Sequence, residues 1–408
     1  MLDQQKITQR FKNYVEIATT SAMGQTCFPS TAGQKELGRF LVQELKTLGL
    51  EQVELDEHGY VVATLPATTK EELPVIGLLA HLDTATECSG DQVKLCTHRN
   101  YDGKNLILNK GKNIFLSPTM FPELLAYVGQ DLLTADGTTL LGADDKAGIC
   151  IIVSVCEFLL AQPELKHGLV KIIFTPDEEI GRGTQFFPRE KFAVDFAYTI
   201  DGGALGEINY ETFNACNVAV KFTGRAVHPG TAKGKMLNAI TLAKEWQNAL
   251  PAQECPECTE GYEGFYHVTK IHGGTEQVLL EMLLRDHDAA ILARRKAVVL
   301  NLAADMNARY GTGTVECVLT DVYENMKQYV LPDYGIVERA VNAMLECGVE
   351  PCIVPIRGGT DGARLSAEGL PCPNLFTGGH NFHGRFEYLP VTSLIKATEV
   401  VIKLLQVK

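Results

Sequence analysis

Nowhere in this chain is there an apolar run long enough to cross a bilayer. The longest, residues 149–161, contains Glu157 and falls short of the roughly 20 residues that a spanning helix needs. It reads as a buried helix instead. Positive charge is also scarce. There are 37 Lys and Arg against 50 Asp and Glu, a formal net charge of −13. An acidic surface argues against nucleic acid and against an anionic membrane as partner, and mildly favours cationic groups such as free amino termini. The first ten residues lack the apolar core of a secretion signal, so a cytoplasmic location is expected. Internal repeats and low-complexity stretches are missing too. No serine sits in a G-x-S-x-G elbow. The segment from Gly230 to Met236 resembles a phosphate loop, but it is one spacer short and has Met where Ser or Thr is required.

Cysteine is present, at 12 residues, but without the pattern of a disulfide framework. Cys150, Cys156, Cys216 and Cys317 lie in hydrophobic runs and read as reduced core residues. Cys255-Pro-Glu-Cys258 is a CxxC, yet no second pair follows at zinc-ribbon spacing, so a solvent-facing loop is the better reading.

At 408 residues the chain exceeds what one core usually holds, and two domains are expected. Residues 7–16 and 36–48 have helical periodicity, the second ended by Gly49. Short strands are expected at 53–55 and 60–65. Residues 75–80, 169–174 and 196–200 are continuous apolar runs of the kind buried on both faces of a parallel sheet. A further apolar stretch, 140–143, precedes Asp144, and 147–160 reads as a buried helix. This alternation predicts an α/β domain with a mostly parallel sheet, in which ligands sit at the carboxyl ends of the strands. Beyond Asp201 the pattern alternates more, with strands expected at 207–210, 217–222, 265–271 and 278–285 and helices at 237–249 and 289–306. Buried, glycine-rich strands return at 352–355 and 375–376. The expected organisation is therefore a catalytic domain of residues 1–212 and 325–408 with a smaller α+β lid, 213–324, inserted into it.

Metal-binding types of side chain stand at the ends of the apolar runs. His81 and Asp83 are two apart and so face one way at a strand end. His81 can bind a metal through one ring nitrogen while Asp83 orients it. Asp144 and Asp145 precede a helix, whose N-terminus favours negative charge. Capping explains one of these acids and not both, and Asp144 is the candidate to bridge two ions. Asp177, Glu178 and Glu179 follow a buried strand and repel one another unless a cation is present. Neighbours in an extended segment point oppositely, which makes Glu179 a candidate ligand and Glu178 a candidate general base. Asp201 ends the next strand before two glycines. His380 and His383 follow another glycine pair, with His383 the candidate ligand. Two imidazoles and three carboxylates suffice for two zinc ions sharing a water. For each residue alone a cap, a satisfied core polar group or a charged turn competes. Five such segments together are difficult to explain as packing.

The strings HLDT (81–84), GADDKAG (142–148), TPDEEIG (175–181) and TIDGG (199–203), with the HG pair at 383–384, resemble the co-catalytic zinc exopeptidases related to aminoacylase and glutamate carboxypeptidases. VHPGTAKG (227–234), TEGYEGFYH (259–267), IRGGTDGA (356–363) and PCPNLFTGG (371–379) are similar to those members that cleave tripeptides, and the likeness covers nearly the whole chain. The resemblance implies a metallo-aminopeptidase holding two Zn2+ per subunit. His81, Asp144 and Asp201 would bind one ion, and Asp144, Glu179 and His383 the other. Asp83 would orient His81, and Glu178 would accept the proton. His228, in the HPG motif on the lid, would reach the substrate or the oxyanion, and Arg285 would contact a substrate carboxylate. An ion pair with Asp286 is the competing reading of Arg285. Relatives of this kind also imply a homodimer. One departure is the sequence HGRFE (383–387), where a second basic residue before the Glu would be expected. His380 also stands where an aromatic would be unsurprising.

Overall fold

The computed structural model describes residues 2–407. The chain divides into two compact units. One comprises the chain up to Tyr210, Tyr329–Val354 and everything from Thr360 onward; the other comprises Glu211–Gln328 and Pro355–Gly359.

The larger unit is built on an eight-stranded sheet. Its strand order is Glu51–Leu55, Val61–Leu65, Val170–Thr175, Ile76–His81, Phe196–Gly202, Asn374–Phe376, Glu207–Asn209, Cys352–Ile353. The four strands from Val170–Thr175 to Asn374–Phe376 are mutually parallel. Val61–Leu65 joins that block antiparallel to Val170–Thr175, and Glu51–Leu55 pairs antiparallel with Val61–Leu65 in turn. The apolar runs are explained by this placement: Ile76–His81 is buried along its whole length, as expected where helices cover both faces. Gly77 is forced by closeness. A Cβ there would lie 2.6 Å from the Phe192 ring and 2.8 Å from the Ala197 methyl. The helix Ala143–Leu160 is apolar on every side because almost all of it is buried.

Two sequence expectations need correction. The helix expected to begin at Glu36 spans Ala32–Leu48, with Gly49 in the left-handed conformation at its end (φ 98°). The apolar stretch at 140–143 is not a strand. Its amides are used elsewhere: Leu140 N–H donates to the Ser89 carbonyl at 2.9 Å, and Leu141 and Gly142 donate to the Glu387 carboxylate at 2.7 and 2.8 Å. An apolar run of four residues cannot by itself distinguish a ladder from a buried loop.

The smaller unit is a four-stranded antiparallel sheet in the order Phe265–Gly273, Gln277–Asp286, Asn214–Thr223, Val315–Tyr323. Its strands alternate between buried and exposed positions because the core lies on one face. That core joins Phe222, Leu280, Leu284, Trp246 and Val299, the last two from the helices Ala239–Asn248 and Ala289–Tyr310.

The cysteines largely follow expectation. All 12 are free, and Cys150, Cys156 and Cys216 are buried; Cys317 is half-buried, and Cys372, not expected in a core, is buried too. No helix among the described residues is long and apolar enough to cross a membrane.

Candidate metal centre

Three parallel strands of the larger unit each carry acidic or imidazole groups at the carboxyl end. Ile76–His81 ends on His81, Val170–Thr175 leads into Asp177, Glu178 and Glu179, and Phe196–Gly202 contains Asp201. The Asp144–Asp145 pair lies at the start of the helix Ala143–Leu160, and His383 in the segment after Asn374–Phe376.

The structure brings five of these side chains together. His81 Nε2 lies 2.8 Å from Asp144 Oδ1 and 3.6 Å from Asp201 Oδ1. His383 Nε2 lies 3.3 Å from Asp144 Oδ2 and 3.1 Å from Glu179 Oε2. Asp144 therefore turns one oxygen to each imidazole. On the far side of the His81 ring, Nδ1 is 3.0 Å from the Asp83 carbonyl and 3.4 Å from its carboxylate. The carboxylate of Asp83 in turn accepts the N–H groups of Glu178 and Glu179 at 3.0 and 3.1 Å. One buried acid thus fixes the His81 ring and the backbone that carries both glutamates.

The adjacent acids divide their work. Asp144 and Asp145 have non-helical backbone angles, although the helix is counted from Ala143. Asp145 is fully buried and accepts from Gly148 N–H at 3.2 Å, the capping role, and from His81 N–H at 3.1 Å. It lies close enough to His81 and Asp201 to join them around an ion. Both its oxygens already serve backbone donors, however, so Asp144 is the better ligand. Asp177 is also withdrawn from the centre. It is buried, accepts from Ser30 N–H, Ser30 Oγ and Gln34 Nε2 at 2.8, 2.5 and 2.7 Å, and its own N–H donates to Gln34. Sequence reading grouped Asp177 with its neighbours. The structure makes it a clamp on the Ser30–Gln34 segment.

The electrostatics describe a place made for positive charge. Burial, and then the Asp144 charge, push Glu179 up to about 7. Burial pushes Asp201 up to about 6, partly offset by His81. Hydrogen bonds to the carboxylates of Asp144 and then Glu179 raise His383 to about 11. For His81 burial works downward, but Asp201 and the bond to Asp144 outweigh it and raise the imidazole well above its ordinary value. Glu178 keeps part of its surface open to solvent, while burial and then Asp361 push its carboxyl well above the usual range. Glu179 Oε1 is buried with no hydrogen-bond partner among the described residues. Such an oxygen is costly unless something cationic meets it. Ligand atoms of His81, Asp144 and Glu179 all lie within 4.8 Å of one another, and the same holds for His81, Asp145 and Asp201. Nitrogen and carboxylate donors, an orphaned oxygen and crowded acids together fit a pair of divalent cations.

Sequence reasoning missed Glu387. It is buried and accepts from Leu141, Gly142 and Asp144 N–H at 2.7, 2.8 and 3.1 Å. It holds the loop that presents Asp144. Burial pushes its carboxyl up to about 7 against the pull of those amides. The HGRFE string contained it, but no local period points to an acceptor 243 residues from its donor. Glu387→Ala should cost about 3 kcal/mol in urea unfolding, since buried donors lose their acceptor. It should also weaken metal binding about 10- to 100-fold, as loss of an orienting partner does. Unchanged metal affinity would contradict the role.

His380 is not a ligand. Its ring stacks on Tyr388 (centroids 4.7 Å apart, planes at 9°), and Nε2 lies 2.6 Å from the Tyr127 hydroxyl. Burial lowers its pKa to about 4. The unfolded chain therefore takes up a proton near pH 6.5 that the folded chain refuses until about pH 4, so stability present above 6.5 is lost as pH falls through that window. His380→Phe should remove about one proton from the slope of unfolding free energy between these pH values. An unaltered slope would place the acid sensitivity elsewhere.

In the smaller unit, His228 is exposed. Its Nδ1 accepts from Gly230 N–H at 3.1 Å at the start of the Pro229–Thr231 turn. Arg285 does not pair with Asp286. Neighbours on a strand face opposite ways, and Asp286 bonds Arg295 at 2.9 Å. Arg285 reaches the Cys216 and Leu284 carbonyls at 3.2 and 3.0 Å and lies over the Tyr323 ring. It has no salt-bridge partner among the described residues.

Acids and imidazoles gathered at the carboxyl ends of a parallel sheet, around an oxygen that nothing among the described residues satisfies, define a metal-dependent hydrolase. The model for Peptidase family M20/M25/M40 matches residues 136–407. Over 401 residues the chain is 52% identical to the Peptidase T of Caldanaerobacter subterraneus subsp. tengcongensis, covering 98% of both chains. It is 50% identical over 400 residues to the Peptidase T of Listeria monocytogenes serotype 4a, again at 98% of each. The chain belongs to peptidase family M20/M25/M40 and, within it, to the peptidase T group. Among solved structures, a tripeptidase from Staphylococcus aureus shares the fold at TM-score 0.78 and 22% identity, covering 99% of this chain and 98% of that one. A dinuclear metal-binding M20 peptidase from Bacillus subtilis does so at 0.67 and 17%, covering 98% and 96%.

Proposed function

We propose that this protein is a cytoplasmic aminopeptidase that removes the N-terminal residue of tripeptides, with two zinc ions per subunit. The reading rests on one observation above all: Asp144 offers one oxygen to His81 and the other to His383, so that four further ligand side chains, His81, Asp201, Glu179 and His383, gather with it. His81, Asp144 and Asp201 would hold one ion, and Asp144, Glu179 and His383 the other. When bound, the ions supply positive charge that polarises the scissile carbonyl and makes water more acidic.

The remaining chemistry belongs to side chains. Glu178 stands beside the ligand Glu179 on backbone pinned by Asp83, with access to solvent. Its raised proton affinity suits a group that takes a proton from the attacking water and passes it to the leaving amine. Asp83 keeps the His81 ring turned toward Asp144 and Asp201. In the lid, residues 213–324, His228 would stabilise the oxyanion. Arg285, not neutralised by an acid, would hold the substrate's terminal carboxylate and so set peptide length. A homodimer agrees with this reading.

The deciding experiment compares di-, tri- and tetrapeptides and N-acylated amino acids, with metal analysis of the same sample. Tripeptides with a free amino terminus should give the highest kcat/KM, and chelator should abolish it reversibly. Preference for dipeptides or acylated amino acids would assign the same centre to another amide.

A further inference from the structure

The CxxC of the smaller unit plays no part in that chemistry. Cys255 and Cys258 bracket a single 3₁₀ turn, Pro256–Cys258. Pro256 fixes its own φ at the first position, and Cys258 N–H donates to the Cys255 carbonyl at 3.0 Å. Side chains three apart in such a turn share one side. The neighbouring Cys258 thiol is the first cause of the raised pKa of Cys255. Neither thiol is buried. Cys258 is exposed, and half-buried Cys255 lines a surface hollow of about 480 Å³ beside Tyr266 and His267. No group of three metal-ligand residues among those described includes either cysteine, which removes a preformed zinc site as the reason for the pair.

We propose that Cys255 and Cys258 form a reversible intrachain disulfide, a modification site that reacts with low-molecular-weight disulfides. The exposed Cys258 thiolate attacks one sulfur of the disulfide RSSR. A new S–S bond forms, the old one breaks, and RS⁻ leaves. Cys255 then gives its proton to water and attacks the Cys258 sulfur, expelling the second RS⁻. In sum, two protein thiols lose two protons and two electrons, and RSSR becomes two RSH. The ring closes within four residues that already turn, so little chain entropy opposes it.

The turn is tied to its surroundings. Thr259 Oγ1 donates to the Cys255 carbonyl at 3.0 Å and accepts from Arg357 Nη2 at 2.8 Å. Arg357 Nη1 also donates to the Gly261 and Glu263 carbonyls at 3.0 and 2.7 Å. The bridge would stiffen the turn at one end of this loop.

Trypsin makes the test simple. Cleavage after Lys244 and Lys270 releases residues 245–270, which contain these two cysteines and no other. Full-length, metal-loaded protein is treated with oxidised glutathione, blocked with iodoacetamide and digested. The 245–270 peptide should lose both alkylated thiols together, carry no glutathione, and recover both on dithiothreitol. In Cys255→Ser, glutathione should remain on Cys258. Two independent glutathione adducts on the wild-type peptide would overturn the proposal. So would a fully alkylated peptide in a sample whose exposed Cys27 and Cys352 have reacted.

Discussion

In Glu178→Ala, both metal ions stay and turnover goes: kcat falls by about 10²- to 10⁴-fold, the range a positioned general base supplies. The geometry separates Glu178 from its neighbours. Asp177 spends its oxygens on Ser30 and Gln34. Glu179 turns an oxygen to His383. Among the described residues the Glu178 side chain makes no hydrogen bond or ion pair that holds the fold, so its loss should leave fold and ligand set in place. Metal content by mass spectrometry and a pre-steady-state rate on a tripeptide read the two consequences separately. A metal-replete variant with near-normal kcat would end the assignment. A variant that loses metal together with activity would make Glu178 a ligand instead.

Asp144→Ala should have the other large effect, and a different one: the protein loses both ions and with them all hydrolysis. Each Asp144 oxygen faces a different imidazole, at 2.8 and 3.3 Å. Removing the side chain therefore breaks both halves of the site at once. Hydrogen bonds from His383 and His81 hold the Asp144 carboxyl below its ordinary range against the opposing push of burial, so its charge is matched by groups that would be left facing Asp201 and Glu179 without it. Equilibrium dialysis with zinc should find neither site filled. Retention of one tight ion, with the second lost, would show that Asp144 serves one site only and that Asp145 or Asp201 completes the other.

Much of this was legible before any coordinates. Residues 75–80, 169–174 and 196–200 declared themselves as strands because a segment covered on both faces has no polar side to show. Their ends carried His81, Glu179 and Asp201. The run at 140–143 looked the same and was not a strand, because its amides bond to Glu387 and Ser89. No pattern within four residues encodes a partner elsewhere in the chain. Asp177 was unreadable for the same reason. Three consecutive acids look alike in sequence, and only the Ser30–Gln34 segment, 143 to 147 residues away, sets Asp177 apart from its two neighbours.

By itself, then, the sequence determined the kinds of donor, their delivery on buried strands, and a family whose strings run through the whole chain. These are local properties, set by the two-residue period of strands and by the identity of short motifs. The tertiary structure decided that Asp144 faces both imidazoles, that Asp145 caps instead, and that Glu387 holds the loop leading into Asp144. Each of these depends on strand order and on contacts across large separations in the chain, where the free energy of bringing groups together comes from the packing of the whole sheet rather than from the residues that meet.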